Sequence, residues 1–407
     1  MESRIKAAKR PFRTGVLALC LLLVATGCAT TSQNGANEHR TSGALPSEMD
    51  IPLLAALKTT YDQLPWRLTM VPTERDGKVV RVAVFRTGED NPGSLIILVH
   101  GVMASHATWR YVAADLARDH EVWLVDLPGC GASDKPSPSS LPADGYSPTA
   151  LADRVLQAIA ACLPIQEPVN DFRDVLLVGH SLGGTIILRA FDEPELRARH
   201  AGTLRRISSL ALLAPSDVAI NAEIPVFRSI VELKGWQVAI GGPLGLVGRA
   251  TRQATRNGYH VPERGTREAA LELKTILTQA DTRHAVQAML SEAVPWHKAE
   301  HRPDWQGIQQ LVGLYDNIDV PCLIVWGEWD ETLPDAMGHK LKDAIPGAQL
   351  VELAGCGHAL PTERPLEVAG LLRDCIAGKS LPVVKVKTLR SSNTAFQPGE
   401  GSSRAAP

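Results

Sequence analysis

The sequence has almost no excess of charge of either sign, and this absence excludes one large class of partners. Its 407 residues include 42 Lys and Arg against 44 Asp and Glu, which gives a formal net charge of −2 at pH 7. Basic residues form a run only at the start of the chain. Because a nucleic-acid-binding surface must attract phosphate with positive charge, we expect no nucleic acid among the partners.

Metal-binding motifs are missing as well. The seven cysteines are not spaced as zinc ligands, and nothing else in the sequence requires a metal or a cofactor, so we expect neither. Cys20 and Cys28 lie near the N-terminus, which leaves an odd number that cannot all pair within one chain. These remaining cysteines are Cys130, Cys162, Cys322, Cys356 and Cys375.

A long hydrophobic run is also lacking, apart from one short apolar segment at residues 16–25. It follows several Lys and Arg residues and is too short to span a bilayer comfortably. The pattern predicts a secretory signal peptide over residues 1–27, with an uncleaved membrane anchor as the alternative.

The end of that segment, Ala25-Thr26-Gly27-Cys28, resembles the lipobox of bacterial lipoproteins. The resemblance implies that Cys28 is acylated and anchors an exported protein to a bacterial membrane, facing the periplasm. Ala29, where inner-membrane lipoproteins carry aspartate, favours the outer membrane by the same analogy. Alanine stands where the lipobox usually has leucine, so cutting by an ordinary signal peptidase is the alternative. Residues 28–48 are predicted to be a flexible tether and residues 381–407 a disordered tail.

The most informative stretch that is present is a serine between glycines, at the junction of an apolar strand and a helix. Gly179, Ser181 and Gly183 form a G-x-S-x-G motif after the apolar residues 176–178. The turn must be sharp, and only small residues on either side let strand and helix pass closely. This context predicts a nucleophile elbow that exposes Ser181.

A nucleophilic serine needs a base and an acid, and both occur downstream in the expected order. Asp330 lies in the loop after the apolar residues 322–327, and His358 lies in a turn after the strand pattern at residues 349–353. We predict Asp330 as the acid and His358 as the base. Asp217, which follows the strand pattern at residues 209–213, is the alternative acid.

Acyl transfer also needs donors for the negative charge that develops on the carbonyl oxygen. The backbone amide of Leu182, at the start of the helix, is one predicted donor. The second is the amide of Val102, in the loop after the strand pattern at residues 94–99. We expect His100 in that loop, and Asp126 before a glycine-rich turn, to be structural.

Taken together, these motifs resemble the α/β-hydrolase superfamily over residues 66–376. The resemblance implies the same roles for Ser181, His358, Asp330, Val102 and Leu182. Superfamily members that hydrolyse epoxides or haloalkanes carry aspartate at the elbow, so serine argues against those reactions. The motifs are His100-Gly101, residues 126–134, residues 179–184, residues 327–330 and Gly357-His358.

The remaining patterns predict an α/β fold with a mostly parallel, eight-stranded sheet covered by helices on both faces. A hairpin is predicted at residues 66–71 and 79–85, after a helix at residues 49–64. The hydrolase core would comprise residues 49–215 and 321–380. Residues 216–320 show no strand pattern and have helical spacing at 225–233 and 267–294, which predicts an inserted helical cap.

These features predict a serine hydrolase that cleaves a carboxylic ester of a small or medium apolar molecule through an acyl-enzyme. Hydrolysis of a carbon–carbon bond in a diketone-like substrate and cofactor-free peroxyacid formation are the enzymatic alternatives. A binding protein that retains the fold is the non-enzymatic alternative, and the complete set of motifs argues against it.

Overall fold

The structure is a computed structural model that describes residues 50–163, 174–217, 258–260, 267–293, 295–297 and 302–379. The predicted signal peptide, Cys28, the tether, the helix at residues 225–233 and the tail lie outside these ranges. Within them, no helix has the length and apolarity that crossing a bilayer requires.

Eight strands form one twisted sheet in the order β1-β2-β4-β3-β5-β6-β9-β10, and two further strands, β7 and β8, pair separately. In the main sheet β2 runs antiparallel to both of its neighbours, β1 and β4, and all the other pairings are parallel. The strands are β1 (Arg67–Arg75), β2 (Lys78–Thr87), β3 (Leu95–Val99), β4 (Glu121–Asp126), β5 (Val175–His180), β6 (Ser209–Leu213), β7 (Trp296–His297), β8 (Arg302–Pro303), β9 (Cys322–Gly327) and β10 (Gln349–Leu353).

Helices connect the strands and pack in separate groups. Helix α3 packs on α4, whereas α12 packs on α2, which in turn contacts α1. The helices are α1 (Asp50–Gln63), α2 (Arg110–Leu116), α3 (Pro148–Cys162), α4 (Leu182–Asp192), α5 (Pro194–Arg199), α6 (Ala201–Leu204), α7 (Arg267–Thr278), α8 (Ala280–Glu292), α9 (Trp305–Val312), α10 (Ala336–Ala344), α11 (Leu360–Glu363) and α12 (Pro365–Ile376).

The core follows from the continuous apolar character of the central strands. Every residue of β3, β5, β6 and β9 is buried, as expected for parallel strands covered on both faces. The predicted α/β-hydrolase fold class is therefore confirmed. The carboxyl ends of these strands meet at one edge of the sheet, where the loops that carry the predicted site residues begin.

The hairpin is longer than predicted, because both strands continue to a two-residue turn. Arg75 pairs directly with Lys78, and Asp76 and Gly77 between them have φ of 52° and 72°. Two consecutive positive φ values match the twist of the flanking strands.

One expectation for the inserted region was wrong. Residues 216–320 do contain strands, because β7 and β8 pair antiparallel. Strands of two residues are too short to produce a visible alternation in the sequence. The helical spacing predicted at 267–294 corresponds to the two helices α7 and α8, and Gln279 between them adopts an extended ψ of 118°.

Asp126 at the end of β4 holds the glycine-rich turn, the structural role predicted for it. One carboxylate oxygen accepts the backbone N–H of His106 at 2.6 Å, and the other accepts that of Ala132 at 2.7 Å. Burial by itself would raise the pKa of Asp126. The hydrogen bond and charge of His106, the nearby His100 and the Ala132 amide outweigh this and lower the pKa to about 2.

We expect Asp126→Ala to lower the free energy of unfolding at pH 7 by about 2–4 kcal/mol, because buried backbone donors lose their acceptor. Since the folded-state pKa is below the unfolded one, the stabilisation by the carboxylate is present above about pH 4 and is lost as the pH falls towards 2. The difference between wild type and variant should therefore shrink between about pH 4 and about pH 2 in urea titrations. Asp343→Ala, at a side chain that is 78% exposed, is the control. An equal effect of both variants would contradict the anchoring role.

Candidate active site

Ser181 occupies the sharp turn between β5 and α4, in a strained backbone conformation. Its φ of 53° and ψ of −122° lie outside the regions that non-glycine residues normally adopt. The backbone around it is tied down, because the N–H of Ser181 donates to Leu213 O at 2.9 Å and the N–H of Ser216 donates to Ser181 O at 3.2 Å. The residue predicted as nucleophile therefore stands at the apex of a fixed turn.

Glycine is required at both predicted flanking positions for a steric reason. A Cβ atom at Gly179 would lie 2.5 Å from the carbonyl carbon of Gly183. One at Gly183 would lie 2.6 Å from the carbonyl oxygen of His100, at the end of β3. Any side chain at these two positions would push the helix away from the strands that carry the site.

His358 and Asp330, the predicted base and acid, form a direct pair. The Nδ1 of His358 lies 2.7 Å from Oδ2 of Asp330, whose side chain is fully buried. The other oxygen of Asp330 accepts the backbone N–H groups of Thr332 and Leu333 at 2.9 and 2.8 Å. These bonds fix the carboxylate, so it holds the proton of His358 on Nδ1 and leaves Nε2 as the basic nitrogen.

Asp217, the alternative acid, takes part in a different buried cluster. Its Oδ2 accepts a short hydrogen bond from the hydroxyl of Tyr315 and lies 3.3 Å from Nη2 of Arg189. Arg189 also pairs with Asp192 at 2.8 Å. Because His358 pairs with Asp330, the geometry favours Asp330 over Asp217 as the acid.

His180, inside the elbow motif, has a role that the sequence analysis missed. Its Nε2 donates to the backbone carbonyl oxygen of His358 at 2.9 Å, which ties the histidine loop to the residue before Ser181. Burial, together with the charge of His358, lowers the pKa of His180 to about 3. A neutral ring can make this bond without placing a second positive charge beside His358. The only signal in the sequence for this role was that His180 directly precedes Ser181 in the G-x-S-x-G motif.

Glu363 was also missed, and it holds the same loop from the other side. It is 3% exposed, and its Oε2 accepts the backbone N–H of Gly357 at 2.6 Å. The thiol of Cys356 lies 3.8 Å from the same oxygen. The only sequence signal was an acidic residue shortly after the Gly357-His358 turn, and nothing in that spacing indicated burial.

The loop that carries Val102 lies directly against the serine. A Cβ atom at Gly101 would be 2.9 Å from Cβ and 3.4 Å from Oγ of Ser181. His100 fixes this loop, since its buried ring accepts the N–H of Leu127 at 3.1 Å. Leu182 follows Ser181 as the first residue of α4, where amide groups have no partner within the helix. Leu182 thus directly follows Ser181 and Val102 directly follows Gly101, which lies against it, so both predicted oxyanion donors belong to segments next to the serine.

An apolar cluster from the inserted region covers the Val102 loop. Ile276 in α7 and Val286 and Leu290 in α8 pack together, with Val102 and Met103 against them. Within the described ranges, no three His, Cys, Asp or Glu side chains come together as a metal site would require. The arrangement is suited to proton transfer and nucleophilic attack beside an apolar surface.

Comparison with known proteins identifies the class to which this fold and site belong. Residues 96–371 match the model of the alpha/beta hydrolase family, which is more than half of the chain. The chain belongs to this family of hydrolases.

Individual relatives are more distant. An uncharacterised protein of Mycobacterium tuberculosis is 28% identical over 276 residues, which are 65% of this chain and 70% of that protein. A monoacylglycerol lipase of Homo sapiens is 23% identical over 291 residues, 69% of this chain and 75% of the lipase. The crystal structure of an esterase from Rhodococcus sp. has a TM-score of 0.56 at 24% identity, and covers 77% of this chain and 99% of the esterase. The structural likeness supports the fold alone.

We expect Gly183→Ala to lower the free energy of unfolding by about 3 kcal/mol, because the new methyl group meets backbone atoms that cannot move aside. Gly370→Ala is the matched control, since this glycine lies within α12 and its Cβ would meet nothing within 4 Å. The control should be about 0.5–1 kcal/mol more stable than wild type, as alanine is the better helix former. Chemical denaturation of both variants measures this. A neutral Gly183→Ala would mean that the elbow is looser than described.

Proposed function

We propose that this protein is a serine hydrolase that cleaves a carboxylic ester of a small or medium apolar substrate through an acyl-enzyme intermediate. The observation that carries the proposal is the 2.7 Å pair of His358 and Asp330 beside the strained elbow of Ser181. A binding protein would have no use for a buried carboxylate that orients a histidine next to the strained turn of a serine.

The proposed cycle assigns one chemical task to each group. His358 Nε2 takes the proton of Ser181 as its oxygen attacks the ester carbonyl, and the amides of Val102 and Leu182 receive the oxyanion. Asp330 stabilises the imidazolium. The proton then passes to the departing alcohol, and a water molecule activated by His358 releases the acid.

The preference for an apolar substrate rests on the surroundings of the oxyanion loop. Ile276, Val286 and Leu290 present an apolar cluster against Val102 and Met103. An ester bound at Ser181 would meet these side chains or their neighbours. The name of one relative in sequence, a monoacylglycerol lipase, agrees with ester cleavage.

A small fluorophosphonate tests the central claim. We expect one covalent adduct on the domain from residue 47 onward, seen by intact mass, and none on Ser181→Ala. His358→Ala and Asp330→Asn should lower ester hydrolysis on the order of 10³-fold or more. Asp217→Asn, the matched control for the acid, should keep kcat within about tenfold of wild type, because it leaves the pair at His358 intact.

A folded wild type that takes up no adduct would count against a serine hydrolase and favour a binding protein. If Asp217→Asn abolished turnover and Asp330→Asn did not, the acid would be Asp217. Parallel assays with nitrophenyl esters of increasing chain length, a vinylogous diketone and peracid formation separate ester hydrolysis from the alternative reactions.

We further propose that the protein is exported and anchored by lipid on Cys28 to a bacterial membrane, facing the periplasm, most consistently the outer membrane. Support comes from the sequence Ala25-Thr26-Gly27-Cys28 and from Ala29 after it. Several acyl chains together give stable anchoring, since each buried methylene contributes about 0.8 kcal/mol.

Expression of the full chain in a Gram-negative host tests the anchor. Cys28→Ser should move the protein from the membrane fraction to the periplasmic fraction and remove the lipid mass from its N-terminal peptide. Cys20→Ser, within the predicted signal peptide, should leave both unchanged. A wild-type N-terminal peptide without lipid would refute the proposed modification.

A further inference from the structure

A short segment of the inserted region, Gly258–His260, touches the loops of both His358 and Asp330. The carbonyl oxygen of Gly258 accepts the backbone N–H of Ala359 at 3.0 Å, one residue after His358. The contact is close, because a Cβ atom at Gly357 would lie 2.7 Å from the backbone nitrogen of His260. Glycine at 357 is therefore needed for the segment to approach the histidine loop.

Tyr259 makes a second contact with the chain that follows His358. Its side chain hydrogen-bonds with Thr362, in the helix α11 that begins directly after the histidine loop. Burial, partly offset by that hydrogen bond, raises the pKa of Tyr259 to about 12. The phenol therefore stays neutral and can act as a permanent hydrogen-bonding group.

His260 makes the third contact, with the loop of the acid. Its ring stacks on that of Trp329, with centroids 5.3 Å apart and planes inclined by 20°. Trp329 directly precedes Asp330, and its backbone N–H donates to Cys356 O at 2.9 Å. The tryptophan is nonetheless 47% exposed, so its ring is held mainly from the side that faces His260.

We propose that Gly258–His260 is a clasp by which the inserted region holds the loops of His358 and Asp330 in register, with His260 and Trp329 as positioning residues. The three contacts lie next to the two residues whose separation must be kept for proton transfer, and none of them involves the reacting atoms. The clasp deepens the proposed function, because it makes the alignment of His358 and Asp330 depend on where the inserted region sits.

The test combines ester kinetics with hydrogen exchange of the domain from residue 47 onward. Trp329→Ala removes the ring stack but keeps the backbone bond to Cys356, so it isolates the side-chain contribution. His260→Ala removes the other ring, and Trp329→Phe and His260→Phe restore an aromatic partner. Trp305→Ala is the matched control, because Trp305 is 48% exposed, lies in the same inserted region and is remote in sequence from the clasp.

We expect Trp329→Ala and His260→Ala each to lower kcat about 3–10-fold, the effect of losing one aromatic pair, with KM changed less than twofold. The double variant should be no worse than either single one, because both remove the same contact. Amides of residues 354–363 should exchange faster in these variants, and the phenylalanine variants should recover both properties. Trp305→Ala should match wild type.

Two outcomes overturn the proposal. Either an unchanged exchange rate at residues 354–363 in Trp329→Ala and His260→Ala, or additive losses of kcat in the double variant, would show that the rings do not position the loops together. Hydrogen exchange needs no turnover, so it tests the clasp even if wild type takes up no fluorophosphonate. The absence of an adduct would contradict only the proposed hydrolase function.

Discussion

The structure of the site depends on one steric constraint, the close passage of backbone around Ser181. Strand β5, helix α4 and the loop after β3 approach so closely that Gly101, Gly179 and Gly183 cannot carry a side chain. Ser181 itself adopts a positive φ, a conformation that costs on the order of 1–3 kcal/mol and persists only when the surroundings enforce it. The hydrogen bonds of Ser181 to Leu213 and Ser216 supply that enforcement from β6 and the residues after it. The same crowding that strains the serine therefore also brings Gly101, in the loop after β3, against it.

Two buried side chains, Asp330 and His180, determine the electrostatic surroundings of His358. The carboxylate of Asp330 is buried, but it accepts hydrogen bonds from two backbone N–H groups and from the ring of His358. His180 is buried nearby with a pKa of about 3, so it donates a hydrogen bond to the loop of His358 without a charge of its own. A cation at His180 would oppose the imidazolium proposed to form at His358 during proton transfer. The neutral ring of His180 thus holds the loop of His358 without adding a positive charge beside it.

The sequence was sufficient for the features that depend on local pattern, and insufficient for those that depend on packing between distant segments. Buried parallel strands produce continuous apolar runs, and the elbow produces glycines at fixed spacing, so the sheet and the position of Ser181 could be read directly. His180 bonds a backbone carbonyl group far away in sequence, and Glu363 bonds the backbone N–H of Gly357 shortly before it, but neither spacing predicts the contact. The strands β7 and β8 were missed because two residues cannot show a period, and the break at Gln279 because glutamine is an ordinary helix residue. Whether Asp330 or Asp217 pairs with His358 was open in the sequence, since both follow buried strands, and only their partners in space distinguish them.

The inserted region contacts the site at two separate places. This helps to explain why the fold alone does not identify a substrate. Its helices α7 and α8 cover the loop of Val102 through Ile276, Val286 and Leu290, while Gly258–His260 lies on the loops of His358 and Asp330. The same inserted region therefore contacts three of the loops that carry residues of the proposed site. In such an arrangement, sequence changes that alter the substrate pocket also bear on the alignment of His358 and Asp330. Selectivity and rate would then change together, and the fold of the sheet carries little information about the molecule on which the protein acts.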